Sequence, residues 1–132
     1  MSRILIVDDE PHICEAVQDS LQAEGYDVIV AHDGQTALAL IALEARGGRI
    51  TGVILDMEMP VVHGLEVLRQ LRSQHPDLPI LMISATYDRL MSDQALRSGA
   101  SAYLTKPFER KHFIGVCARL FPPGPVHQQT SA

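Results

Sequence analysis

The chain has 132 residues, which is the size of one domain with its own core. Its 46% hydrophobic and 20% charged residues are typical of a globular protein, and its apolar runs are far shorter than the roughly 18 residues of a membrane span. A net charge of −5 without a basic stripe argues against direct nucleic-acid binding, and two cysteines are too few for a disulfide framework.

The chain begins with an apolar run that predicts a strand over about 3–8, running into Asp8 and Asp9. This acidic pair interrupts the apolar stretch that a signal peptide would need, so we expect no signal peptide and a cytoplasmic protein. Pro11, favoured in the first turn of a helix, predicts the start of a helix that Gly25 ends.

The second and third strands differ in their patterns. Residues 26–31 alternate more than the other runs, with Asp27 between apolar neighbours, which favours an edge strand. Asp33 is a suitable N-cap for the second helix, and Gly47 with Gly48 would break that helix. A continuous apolar run then predicts a strand that is buried on both faces and ends at Asp56.

Two further units follow in the second half of the chain. We place Gly64 in the loop before the third helix, end the fourth strand at Ser84, and predict a fourth helix over about 87–98. A short fifth strand over about 101–105 precedes the last helix. The apolar positions predicted for the fourth helix are Leu90, Met91 and Leu96.

Five alternations of strand and helix predict one α/β domain. Parallel strands joined by helices require right-handed crossovers with helices on both faces, so we expect a doubly wound five-stranded parallel sheet in a three-layer sandwich. Ligands of such sheets bind outside the carboxyl ends of the strands. The side chains expected at that edge are Asp8, Asp9, Asp56, Ser84 and Lys106.

These side chains suit a divalent cation together with a phosphoryl group. Clustered carboxylates repel one another unless a cation joins them, and Mg²⁺ favours one or two carboxylates with waters and a phosphate oxygen. Asp56 could act as a nucleophile on phosphorus, with Lys106 as a point charge and Ser84 as a hydrogen-bond donor.

Each residue alone has an ordinary structural alternative. Asp8, Asp9 and Glu10 could cap the first helix, because acidic residues are common in a first helical turn. Ser84 could be a turn residue. Pro107 could make an ordinary turn, or a cis bond that aims Lys106 back over the sheet edge.

Taken together and in order, these residues resemble the receiver domain of bacterial two-component response regulators. The resemblance covers roughly residues 2–121 and implies a flavodoxin-like strand order 2-1-3-4-5, with residues 1–121 as the receiver and 122–132 as a flexible tail or linker. The matching motifs are Asp8-Asp9, Asp56-x-x-Met59-Pro60 with Gly64, Ser84-Ala85 and Thr105-Lys106-Pro107-Phe108.

The resemblance also implies a role for each site residue. Asp56 would accept a phosphoryl group from a sensor histidine kinase or a phosphotransfer protein, with Mg²⁺ as cofactor. Asp9, Asp56 and the backbone carbonyl of Glu58 would ligate the ion directly, and Asp8 would act through water. Lys106 would contact the phosphoryl group. The acidic side chain of Glu58 beside an anionic site leaves the lifetime of the phosphoryl group open.

The same resemblance implies a conformational switch. Ser84 would move toward the phosphate, and Tyr103 would turn inward as Ser84 moves. Tyr103 could instead be an ordinary half-buried strand residue. The affected surface would be the fourth helix, the fifth strand and the fifth helix, where a partner or a second copy would bind. The cognate kinase, the regulated process and the presence of an output domain in a longer protein stay open.

Two rival functions start from the same residues. An aspartate-nucleophile phosphatase would carry a second acid two residues after its nucleophile, and Glu58 stands there, but the Asp8-Asp9 pair argues against this class. A flavodoxin-like cofactor binder would need a phosphate loop rich in glycine and hydroxyl groups after the first strand, where the chain has acidic residues instead. We therefore expect a signalling switch and not a turnover enzyme.

The cysteines have a plainer interpretation. Cys14 and Cys117 fall on the apolar faces of the first and last helices, so we expect buried, unreactive thiols.

Overall fold

A computed structural model of the chain describes residues 3–44, 50–59, 63–86 and 88–121. In this part of the chain five strands alternate with five helices. The strands are β1 (Arg3–Val7), β2 (Asp27–Ala31), β3 (Ile50–Asp56), β4 (Ile80–Ser84) and β5 (Ala102–Thr105). The helices are α1 (Pro11–Ala23), α2 (Gly34–Glu44), α3 (Gly64–Gln74), α4 (Arg89–Arg97) and α5 (Arg110–Leu120).

All strand pairs are parallel, and the order across the sheet is β2-β1-β3-β4-β5. This confirms the predicted doubly wound sheet and places β2 at an edge, as its alternating pattern predicts. The register pairs Val7 with Leu55, Asp56 with Ile83, and Ser84 with Thr105. The strands therefore end close to one line, and the residues that follow them meet at one edge of the sheet.

Each face of the sheet has its own hydrophobic core, which gives the sandwich its three layers. Because successive strand residues point to opposite faces, Leu5 packs with buried residues of α2, α3 and α4, whereas Ile6 packs with those of α1 and α5. Every residue of β4 is buried, as are β1 after its first residue and β3 after its first two. Two well-covered faces hold the strand ends rigidly in place.

Helix ends follow the sequence signals in several places. The Oδ1 atom of Asp33 accepts a hydrogen bond from the backbone N–H of Thr36 at 2.7 Å, which confirms the predicted N-cap. Gly99 has a φ of +114°, a conformation that a residue with a side chain rarely adopts, and α4 ends just before it. The predicted break at Gly47 and Gly48, and the predicted tail 122–132, lie outside the described residues.

One local prediction is wrong, and one helix buries residues other than its leucines. Gly64 is the first residue of α3 and not part of the preceding loop; His63 is the N-cap, and its Nδ1 accepts a hydrogen bond from Leu65. Helix α4 does not bury its leucines: Leu90 is 78% exposed and Leu96 is 46% exposed. Instead α4 has Ala95 as its buried residue, because a small side chain lets the helix approach the sheet closely.

No helix in the described part of the chain is long and apolar enough to span a membrane.

Candidate phosphoryl and metal site

Three carboxylates meet where β1 and β3 end. Asp8 and Asp9 directly follow β1, Asp56 is the last residue of β3, and one oxygen of each lies within 4.8 Å of the others. Asp8 and Asp56 are buried, whereas Asp9 is exposed. The predicted cluster of three carboxylates is therefore present, with one member open to solvent.

The acidic pair does not cap α1. The residue at the N-cap position is Glu10, whose side chain makes no capping hydrogen bond. The Oδ1 atom of Asp8 accepts the backbone N–H of Glu10 at 2.9 Å, which orients this carboxylate toward the strand ends. The alternative in which these acids serve mainly as a helix cap is not the observed arrangement.

Lys106 reaches the cluster from the end of β5. Its Nζ lies 3.2 Å from Oδ2 of Asp8, 3.4 Å from Oδ1 of Asp56 and 3.4 Å from Oε1 of Glu10. The Lys106–Pro107 peptide bond is cis. Burial alone would lower the pKa of Lys106, but Asp56 and Asp8 together outweigh it and raise that pKa, so the ammonium keeps its charge.

The surroundings of Asp56 disfavour its charged form. Burial, and then repulsion from Asp8, raise the pKa of its carboxyl to about 7, although Lys106 acts in the opposite direction. One lysine thus compensates two buried carboxylates only in part. A further positive charge beside Asp56 would favour the charged form of this carboxylate.

The donor set fits Mg²⁺. This ion takes oxygen ligands, usually one or two carboxylates, and keeps several waters. Oxygens of Asp8, Asp9 and Asp56 converge, and the exposure of Asp9 leaves the site open to water. The buried charge that Lys106 leaves uncompensated gives the same residues a reason to bind a divalent cation.

The side chain of Glu58 turns to the end of β4 and not to the carboxylates. Its carboxylate accepts a hydrogen bond from the hydroxyl of Ser84 and another from the backbone N–H of Ala85 at 2.8 Å. The backbone N–H of Glu58 donates to Oδ1 of Asp56 at 3.3 Å. The sequence indicated that the acidic side chain of Glu58 lies beside an anionic site, but its contacts with Ser84 and Ala85 were not predicted.

Tyr103 is tied to the loop between β4 and α4. Its hydroxyl donates to the backbone carbonyl of Thr86 at 3.0 Å, and the residue is half-buried. In the same loop the N–H of Thr86 donates to the Ser84 hydroxyl oxygen at 3.1 Å. Ser84 and Tyr103, predicted as switch residues, thus contact the same short segment; their movement stays a prediction.

Both cysteines are buried, as predicted. Burial above all raises the pKa of Cys14 to about 11 and that of Cys117 to about 12. The Sγ atom of Cys14 donates to the backbone carbonyl of Asp8 at 3.3 Å, so this thiol supports the loop that carries the acidic pair.

Comparisons with known proteins agree with this geometry. The sequence model of one protein family, the response regulator receiver domain, matches residues 4–117 of the chain. The chain is 45% identical over 112 residues to response regulator MprA of Mycobacterium avium, an alignment covering 85% of this chain and 47% of that protein. It is 46% identical, with the same coverage, to response regulator MprA of Mycolicibacterium vanbaalenii. The chain spans about half the length of these curated relatives.

Solved structures show the same fold. The receiver domain of NtrX from Brucella abortus superposes with a TM-score of 0.82 at 35% identity, covering 89% of this chain and 96% of that one. Chemotaxis protein CheY4 of Vibrio cholerae gives a TM-score of 0.81 at 33% identity, covering 92% and 99%. The phosphatase alternative finds no support among these relatives. The chain belongs to the response regulator receiver domain family.

Proposed function

We propose that this receiver accepts a phosphoryl group on Asp56 from a sensor histidine kinase or a phosphotransfer protein, with Mg²⁺ as cofactor. The observation that carries the proposal is the position of Asp56. Its carboxylate ends a buried strand, lies within 4.8 Å of oxygens of Asp8 and Asp9, and is 3.4 Å from the Lys106 ammonium.

Phosphoryl transfer at this position follows from ordinary nucleophilic chemistry. A carboxylate oxygen of Asp56 attacks phosphorus as the bond from phosphorus to the histidine nitrogen breaks, and the electron pair of that bond stays on the imidazole. Lys106 holds a positive charge where the phosphoryl oxygens arrive. Ser84, buried at the end of β4, supplies a hydroxyl that can donate to one of them.

Asp8, Asp9, Asp56 and the backbone carbonyl of Glu58 would hold the cation. When bound, Mg²⁺ supplies positive charge that neutralises carboxylates and phosphoryl oxygens together. It would do so where Lys106 alone leaves buried negative charge uncompensated. We expect the domain to hold this acyl phosphate and hydrolyse it slowly, and so to act as a switch and not as a turnover enzyme.

The response to phosphorylation would reach α4, β5 and α5. Ser84 lies at the start of the loop to α4, and Tyr103 on β5 donates to that loop. A phosphoryl group shifts an equilibrium only through contacts that differ between two states, and the bond to Ser84 is such a contact. The exposed Leu90 and Leu96 give α4 an apolar surface for a partner or for a second copy of the chain.

Incubation with acetyl phosphate and Mg²⁺ tests the proposal. Intact-mass measurement should show one added phosphate on the wild type and none on Asp56→Asn. Asp33→Asn, which changes an exposed aspartate at the start of α2, is the matched control and should be labelled like the wild type. Equal labelling of Asp56→Asn would refute the assignment.

A further inference from the structure

Glu58 occupies the hydroxyl donor that Ser84 would offer to the phosphoryl group, together with the neighbouring backbone N–H of Ala85. Its carboxylate accepts both the hydroxyl of Ser84 and the backbone N–H of Ala85. Ser84 is fully buried, so its hydroxyl has little access to water as an alternative partner. The contact joins the loop after β3 to the end of β4, across the edge where Asp56 lies.

A phosphoryl group on Asp56 would place anionic oxygens in the same region. A serine hydroxyl has one hydrogen and can make one donor bond at a time, and a backbone amide also has one. A carboxylate and a phosphoryl group are both anionic acceptors that form charge-assisted hydrogen bonds with such donors. The Glu58 carboxylate and an incoming phosphoryl group therefore cannot both hold the Ser84 hydrogen.

We propose that Glu58 competes with the phosphoryl group for Ser84 and Ala85 and thereby slows phosphorylation of Asp56. The inference rests on the proposed function of Asp56. It assigns to the Glu58 side chain a role distinct from that of its backbone carbonyl. For the phosphoryl group to bind Ser84, the hydrogen bond between Ser84 and Glu58 must first break. When the phosphoryl group leaves, the Glu58 carboxylate accepts the Ser84 hydroxyl again.

Competition has a consequence for the protein without phosphate. The Glu58 carboxylate already accepts the backbone N–H of Ala85, just after β4. In the same loop the backbone carbonyl of Thr86 accepts a hydrogen bond from the Tyr103 hydroxyl. The loop is therefore ordered by Glu58 before any phosphoryl group arrives. Removing the carboxylate should loosen Ala85 in the unphosphorylated protein.

The decisive variant is Glu58→Gln, which keeps the size of the side chain and removes its charge. With acetyl phosphate the acetyl oxygen–phosphorus bond breaks, acetate leaves, and an Asp56 oxygen–phosphorus bond forms. We expect this step to be about tenfold faster in Glu58→Gln, since a tenfold change corresponds to about 1.4 kcal/mol, close to the lower end of the range for one hydrogen bond to a charged group.

Charge repulsion alone could also accelerate the reaction, so two comparisons isolate the hydrogen bond. Glu10→Gln removes a carboxylate that lies 3.4 Å from Lys106 but is not bonded to Ser84. Its phosphorylation rate should rise less than that of Glu58→Gln. In a Ser84→Ala background the gain from Glu58→Gln should also shrink, because the shared donor is gone. An equal gain with and without Ser84 would overturn the competition.

A measurement without phosphate completes the test. Amide exchange at Ala85 should be faster in Glu58→Ala, which removes both acceptor oxygens, than in the wild type, and unchanged exchange would overturn the contact itself. Absence of label from every variant would overturn the proposed function and the competition with it. A labelled wild type without any gain in Glu58→Gln would overturn the competition alone.

Discussion

The Nζ of Lys106 lies 3.4 Å from Oδ1 of Asp56, although 50 residues separate them in the chain. The lysine follows β5 at one edge of the sheet, and Asp56 ends β3 at its centre, with β4 between them. The side chain therefore extends across the end of β4 to reach Asp56 and Asp8. This ion pair joins the proposed phosphoryl acceptor to the part of the sheet that carries the proposed switch.

Replacing Lys106 by Met should destabilise the protein without Mg²⁺. The change leaves Asp8 and Asp56 buried without their cation, and removing one member of a buried ion pair costs about 3–5 kcal/mol. Saturating Mg²⁺ should recover part of the loss. Denaturant unfolding of both proteins measures the effect, with Lys111→Met, at the chain's other lysine, as an exposed control.

An equal loss in the Lys111→Met control would mean that the ion pair contributes nothing particular to stability. A loss in Lys106→Met that Mg²⁺ leaves unchanged would place the cation away from these carboxylates.

Asp9→Asn should weaken Mg²⁺ binding about tenfold or more, which corresponds to about 1.4 kcal/mol or more. Asp9 is the exposed carboxylate of the cluster, and Mg²⁺ relies on few protein ligands, so losing one removes a large share of the attraction. Calorimetric titration measures the affinity. Asp19→Asn, which changes an exposed aspartate on α1, should bind like the wild type, and equal affinities for all three proteins would refute the site.

Strand-end chemistry could be predicted from the sequence because the topology of a parallel sheet fixes it. Asp8, Asp56 and Lys106 each follow or end an apolar strand, so their meeting at one edge required only the order of the elements. The side chain of Glu58 lies in a loop, and its bond to Ala85 depends on loop conformation that no periodicity encodes.

Helix α4 shows the opposite limit of sequence patterns. Leu90, Met91 and Leu96 are the large apolar residues of this helix, and hydrophobicity alone would favour burying all three. The structure instead buries Ala95 and half-buries Met91, which are four residues apart on one face. The helix contacts the sheet through a narrow face, and tertiary packing decided which side chains it covers.

The switch predicts a localised response. Phosphorylation, or a beryllofluoride mimic, should change amide exchange in α4, β5 and α5 more than in α2. Ser84→Ala should still be phosphorylated but should show a smaller change, because the bond between Ser84 and the phosphoryl group is lost. A largest remote response in α2, or a Ser84→Ala response equal to that of the wild type, would exclude this mechanism.

The buried thiol of Cys117 predicts a loss of stability at alkaline pH. Burial raises its pKa from 9.0 to about 12, so the thiol ionises more readily in the unfolded chain. Its contribution to the free energy of unfolding is present below pH 9 and is lost as the pH rises toward about 12, at up to about 1.4 kcal/mol per pH unit. Unfolding of Cys117→Ala from pH 8 to 11 should show a shallower decline, and parallel declines would contradict the assignment.

The most direct test of the central claim is to locate the phosphoryl group on the chain. After incubation with acetyl phosphate and Mg²⁺, borohydride reduction converts an aspartyl phosphate to homoserine, which peptide mass spectrometry assigns to one residue. The account predicts homoserine at position 56 alone, and its loss when Mg²⁺ is chelated before phosphorylation. Homoserine at Asp8 or Asp9, or a phosphorylated protein with unmodified Asp56, would contradict it.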